Sequence, residues 1–181
     1  MKVEEYKEWL KKNGNYEEEG ALHVIDAILQ HHLTSITTDY EVAVFPHYIH
    51  KTDKERLEFD LLIKITHGCK RRLNTLIGVE FKESNLQKAT YQAIRRRDFV
   101  DYMYVATRNY PLYPEVLLPM VFFNIGWVVW WEDKAVMVLP SYETVRKYTL
   151  FLEEYCKSLV RSEVERAISR LDRWIVGDAD D

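Results

Sequence analysis

The stretch that most constrains this chain is Leu57-Glu58-Phe59-Asp60-Leu61-Leu62-Ile63-Lys64-Ile65, where every odd position is large and apolar while Glu58, Asp60 and Lys64 take even ones. A period of two is that of an extended strand whose side chains alternate between its faces. It predicts a strand with one face in a core. The polar turn Gly68 to Arg72 follows, then a second strand, Leu76 to Lys82, so the two pair as a hairpin across the basic tip Lys70-Arg71-Arg72.

The rest of the chain must supply the layers that cover this hairpin. Apolar residues recur at helical spacing from Val3 to Lys12 and from Tyr16 to Leu33, with Leu22, Ile25 and Leu29 on one stripe and Asn13-Gly14-Asn15 as the break. Tyr40 to Pro46 alternates with period two, a strand, and His50 to Arg56 reads as a charged loop. Behind the second hairpin strand, Ser84 or Asn85 can cap a helix over Leu86 to Arg97, and Val100 to Thr107 is a short apolar strand. Strand, helix and strand in succession imply a right-handed crossover to a parallel neighbour. Tyr110 to Phe123, with three prolines, fits no single element, and Gly126 to Trp131 with Ala135 to Leu139 forms a terminal hairpin turning at Glu132-Asp133-Lys134. The expected fold is α/β, a mixed sheet flanked by helices, and the 181 residues make one domain.

A helical segment is expected from Tyr142 to about Trp174, as a C-terminal extension over 141–176. Val145, Tyr148, Leu152, Tyr155 and Leu159 form a heptad seam in it. At 1.5 Å per residue such a helix would be ~50 Å long, more than a domain of this size covers. It therefore either breaks near Ser158 to Ser162 and packs on the core, or its end pairs with a second copy in a homodimer.

Cys69 and Cys156 stand far apart, so neither a disulfide framework nor a thiolate zinc site is suggested. The pairs His31-His32 and His47-His50 lack acidic or thiolate companions in a recognisable pattern and read as solvated or core residues. GxGxxG, the phosphate loop and GxSxG are all missing. No apolar run approaches the roughly 18 residues of a membrane span, and the start carries no export signal; the expectation is a soluble, cytoplasmic protein. The net charge of −4 taken alone disfavours a nucleic acid, yet residues 61 to 110 hold 10 basic and 4 acidic side chains while the flanks are acidic. Local positive charge steers a polyanion more than the global sum does.

That basic segment contains the chemistry. Glu80 and Lys82 lie two apart on a strand, so both leave the same face about 7 Å apart at ~3.3 Å per residue, while Phe81 points into apolar packing. Buried unpaired, such groups are costly, so they need each other, a metal or water. With Asp60 on the same side, two carboxylates converge beside one lysine, donors that suit Mg²⁺. Alone, Glu80-Phe81-Lys82 is compatible with an ordinary ion pair.

Asp60, then a hairpin, a strand bearing Glu80-Phe81-Lys82, a helix and a strand resembles the PD-(D/E)xK nuclease superfamily, with its restriction-endonuclease-like fold. Gln87-Lys88-Ala89-Thr90-Tyr91 matches the QxxxY motif of its RecB-like members, in the branch that also resembles Holliday-junction resolvases. Phe59 stands where the family name has proline. The resemblance covers about residues 14–140 and implies a Mg²⁺-dependent deoxyribonuclease, with Mn²⁺ able to substitute, leaving 5′-phosphate and 3′-hydroxyl ends. It implies Asp60 and Glu80 as metal ligands, Lys82 as the group assisting water or transition state, and Gln87 and Tyr91 as residues shaping the site. A glutamate from the first core helix completes the metal set, for which Glu18 is chosen on its apolar stripe, with Glu17 or Glu19 as replacements. Lys70, Arg71, Arg72, Lys88, Arg95, Arg96 and Arg97 are expected to grip DNA phosphates. The aromatic run Trp127 to Trp131 reads as packing. The alternative is an inactive nucleic-acid-binding or assembly module on the same fold.

Overall fold

The computed structural model describes residues 1–33, 40–51, 56–67, 74–108, 114–146 and 150. The chain divides into two compact units, Met1–Tyr148 and Thr149–Asp181, and the first carries every element named below. These are α1 (Val3–Asn13), a 3₁₀ turn (Tyr16–Glu18), α2 (Ala21–Leu33), β1 (Tyr40–Lys51), β2 (Arg56–His67), β3 (Asn74–Lys82), α3 (Leu86–Arg96), a second 3₁₀ turn (Arg97–Phe99), β4 (Tyr102–Arg108), α4 (Pro114–Phe122), β5 (Ile125–Trp130) and β6 (Ala135–Leu139). The strands form one sheet in chain order. β1, β2 and β3 run antiparallel, β3, β4 and β5 parallel, and β6 closes antiparallel to β5. The protein is thus an α/β mixed sheet flanked by helices.

Alternation along the strands builds two layers. Ile77, Val79 and Phe81 of β3 join Leu61, Ile63 and Ile65 of β2 beneath Tyr6 of α1 and Ala21, Val24, Ile25 and Ile28 of α2. Each such side chain, fully buried, contributes roughly 1.5–3 kcal/mol. The intervening residues of β3, Gly78 and Glu80, leave the other face: Gly78 lies against Met103 and Phe59, and α3 packs there on β3 and β4 through its buried Leu86, Ala89 and Ala93. All six residues of β5 are buried, the pattern of a parallel strand covered on both sides. Trp127 and Trp130 are among them, and the Trp127 indole N–H donates to Thr107 Oγ1 at 2.8 Å.

Several boundaries differ from expectation. β1 runs on through Pro46, which a terminal strand tolerates, and pairs as far as Lys51 with Arg56, so the charged loop is shorter than His50 to Arg56. The stretch 16–33 is a 3₁₀ turn and a separate helix, and Gly20 between them sits where any side chain would run into the buried Trp130 indole. Asn85, rather than Ser84, caps α3 by accepting from Lys88 N. Tyr110–Phe123 ends in a helix, with Pro114 at its first position, where a missing N–H costs nothing.

Residues 141–146 are not helical, so no helix begins at Tyr142 and Val145, 88% exposed, lies on no seam. Tertiary bonds hold this segment: Ser141 Oγ accepts from Met103 N and donates to Asn124 O, Thr144 N donates to Asp101 O, and Arg146 pairs with Asp101 at 2.7 Å. Tyr148, Leu152, Tyr155, Leu159 and the proposed break lie outside the described residues. Among the described residues no helix is long and apolar enough to cross a membrane.

The Gly20 contact is directly testable. Gly20→Ala should lower unfolding stability by about 1–3 kcal/mol, the usual cost of overpacking, read as a lower urea midpoint; an unchanged midpoint would refute the close approach to Trp130.

Candidate active site

The site begins with an interruption in the ladder. β1 and β2 pair from Tyr40↔His67 to Pro46↔Leu61 and resume at Tyr48↔Phe59, which leaves His47 and Asp60 at the unpaired step between. His47 has φ 46°, the left-handed region that non-glycine residues enter at a cost of order 1–3 kcal/mol. Pairing of β2 with β3 likewise begins only at Leu61↔Val79. Asp60 is thereby free to turn its carboxylate toward β3, where Oδ2 accepts from Phe81 N at 2.8 Å and stands 3.9 Å from Lys82 Nζ. Burial raises its pKa, against the pull of Lys82, the Phe81 N–H, Arg96 and His47.

Glu80 is fully buried. Its Oε2 accepts from Arg96 Nη1 at 2.5 Å, while Oε1 is buried with no hydrogen-bond partner. Burial first, and then the Asp60 charge, push its pKa up to about 8 despite Arg96 and Lys82. Lys82 Nζ donates to Glu17 Oε2 at 3.0 Å and to Phe81 O at 2.7 Å. Burial opposes its charge, but the Glu17 hydrogen bond and the charges of Asp60, Glu80 and Glu17 outweigh that and raise its pKa.

The three glutamates of the first 3₁₀ turn part company. Glu17 meets Lys82, and Glu19 is exposed and stands 3.5 Å from Arg108. Glu18 is buried: Oε2 accepts from Asn15 N at 3.2 Å, and Oε1 lies 3.0 Å from His47 Nε2 without forming a hydrogen bond. Burial, aided by the charges of Asp60 and Glu17, raises its pKa over the opposing Asn15 bond and His47. Tyr6, buried beneath, has a hydroxyl without a partner, and burial together with Glu18 and Asp60 pushes its pKa strongly up. His47 also stands 3.4 Å from Glu58 and packs its ring 5.6 Å from that of Trp9.

Asp60, Glu80 and Lys82 are thus brought together, with Glu18 beside Asp60. Gln87 and Tyr91 lie on the exposed side of α3, Tyr91 at 64%, and the residue that α3 sends to Glu80 is Arg96. Arg96 was expected on the phosphate-gripping surface; a buried carboxylate whose neighbouring lysine is engaged by Glu17 draws it inward instead. Of its companions, Arg97 is half-buried with its guanidinium 5.6 Å from the Phe123 ring centre, while Arg95 and Lys88 are exposed. Lys70, Arg71 and Arg72 lie outside the described residues. Among the described residues no three or more His, Cys, Asp or Glu side chains are gathered as a metal-ligand group, since Glu80 is turned to Arg96, Asp60 to Phe81 N, and Glu18 to Asn15 and His47. Sequence reasoning set His47 aside and missed the partnership of Glu17 with Lys82, because both contacts join residues distant along the chain and carry no local pattern.

No family model and no curated protein matches this chain. Among solved structures, it is similar to SPO1766 from Silicibacter pomeroyi, a protein of unknown function, at 14% identity and a TM-score of 0.39, over 86% of this chain and 92% of that one.

Because the pKa of Glu80 lies above the ordinary glutamate value of 4.5, its contribution to stability is complete below about pH 4.5 and is lost as pH rises toward about 8. Arg96→Met removes its counter-charge. The variant should lose little stability at pH 6, where Glu80 can keep a proton, and about 3–5 kcal/mol at pH 9, where the carboxylate is buried unpaired; equal losses in urea unfolding at both pH values would refute this.

Proposed function

We propose that this protein is a metal-dependent nuclease that hydrolyses DNA phosphodiester bonds, acting in the cytoplasm. The observation that carries the reading is the convergence of Asp60, Glu80 and Lys82 at the end of β3, with Lys82 Nζ 3.9 Å from Asp60 and Glu80 buried. The donors fit Mg²⁺ or Mn²⁺ in chemistry: both carboxylates are hard oxygen ligands, and Glu80 Oε1 is buried without a partner, an arrangement that a cation relieves. Asp60 and Glu80 would hold such an ion, which would supply positive charge for phosphate oxygens and acidify a water.

The protein's own groups do the rest. Lys82, anchored to Glu17 and Phe81 O, presents a fixed ammonium to the charge that develops on phosphorus. Asp60 is held in orientation by Phe81 N. Glu18 adds negative charge beside Asp60. Arg96 pairs with Glu80, and Arg95 and Lys88 add positive charge on the exposed side of α3. A binding or assembly module without chemistry is the second reading, favoured by one observation: Arg96 and Lys82 already pair with Glu80 and Glu17 within the protein.

Glu80→Gln and Lys82→Ala should each cut Mg²⁺-dependent cleavage of a labelled DNA by about 10²–10³-fold, the scale of losing one preorganised charge, in protein that circular dichroism shows to be folded at the assay temperature. Calorimetric Mn²⁺ binding should vanish in Glu80→Gln. Full cleavage by both variants would sink the nuclease, whereas a salt-sensitive mobility shift with no metal-dependent product in the wild type would favour the module.

A further inference from the structure

Beside the carboxylates, a cavity of about 470 Å³ opens between α1 and the first 3₁₀ turn, lined among others by Lys7, Leu10, Lys11, Tyr16, Glu18 and Leu22. We propose that this groove is a subsite for one nucleotide of an unpaired nucleic-acid strand, whose phosphate is held by Lys7 and Lys11 and whose base stacks on Tyr16. The proposal extends the nuclease reading by naming the form of strand that reaches the site.

The size suits one small ligand, since pockets that hold such molecules run from roughly 300 to 1,000 Å³. The chemistry of the wall asks for two things at once. Lys7 is exposed, and Lys11 pairs with Glu8, 2.7 Å away, in a contact where both side chains are more than 60% exposed. Exposed pairs of this kind are weak, so a phosphate can compete for the ammonium. Tyr16 is 64% exposed at the rim, with Leu10 and Leu22 supplying apolar surface behind it. At the inner wall Glu18 is 1% exposed. An anionic group and a flat π face occur together in a nucleotide.

The acidic residues near the groove do not repel such a ligand strongly, because Glu17 is answered by Lys82 and Glu19 by Arg108, and Glu18 is buried. The groove also abuts the proposed site of cutting: Glu18 is felt by Asp60, and its neighbour Glu17 anchors Lys82. A duplex keeps its base faces stacked inside, so only an unpaired strand can offer one to Tyr16.

The test is fluorescence anisotropy of the full chain in EDTA, so that binding is read without cleavage. The probes are a labelled ten-nucleotide DNA, its RNA counterpart and a blunt duplex of the same sequence. Tyr16→Ala and Lys7→Glu/Lys11→Glu should each weaken single-strand binding by about tenfold, the scale of one lost stacking contact, and leave duplex binding within a factor of two. The DNA and RNA arms show which strand the groove takes. Single-strand binding unchanged in both variants, or equal loss for strand and duplex, would overturn the subsite. Where the wild type also cuts, the groove variants should raise KM with kcat unchanged. A groove-dependent strand affinity in a protein that never cuts would overturn the nuclease alone, and cutting at wild-type KM by both variants would overturn the groove alone.

Discussion

Glu80 is a carboxylate in the interior of a strand whose neighbours on both sides are buried, and the surrounding architecture answers its cost. Desolvation makes an ionised carboxylate there expensive unless charge or protons compensate. The compensation comes from α3, which returns across β3 and sends Arg96 to Glu80, and from Lys82 two residues along. Lys82 is in turn held by Glu17 of the 3₁₀ turn between α1 and α2. A single buried acid therefore ties together elements from both faces of the sheet.

The second constraint is backbone geometry. A regular ladder through His47 and Asp60 would commit Asp60 to strand pairing; the unpaired step releases it to bind Phe81 N. The left-handed conformation of His47 is the local cost of that release, and the packing of its ring near Trp9 and its approach to Glu18 help to hold it there. Strain persists where the surroundings over-determine it, and here they comprise the residues that crowd Asp60.

Much of this was legible in the chain. The alternation of Leu57 to Ile65 and the placement of Glu80 and Lys82 around Phe81 depend only on a period of two, and both hairpin strands, α3 and the parallel β4 follow from them. The less legible parts are those where distant residues compete. The heptad spacing from Val145 is an accurate count of apolar positions, yet 141–146 is not helical, and Ser141, Thr144 and Arg146 bond to β4 and its approach. The i, i+4 spacing of Gln87 and Tyr91 correctly put them on one side of α3, but which side faces Glu80 depends on how Leu86, Ala89 and Ala93 pack. Among Glu17, Glu18 and Glu19 no sequence rule could choose, and a 3₁₀ turn in place of a continuous helix sends one to Lys82, one inward and one to Arg108.

The sequence by itself determined which residues share a strand face, and hence that a carboxylate and an ammonium would leave β3 together beside an apolar core. That follows from covalent geometry, because successive side chains must alternate. Only the tertiary structure decided their partners: Arg96 for Glu80, Glu17 for Lys82, Phe81 N for Asp60 and His47 for Glu18. Those choices arise because buried charges seek whatever counter-charge the packing of separate elements brings within about 3 Å, a distance that no spacing along the chain encodes.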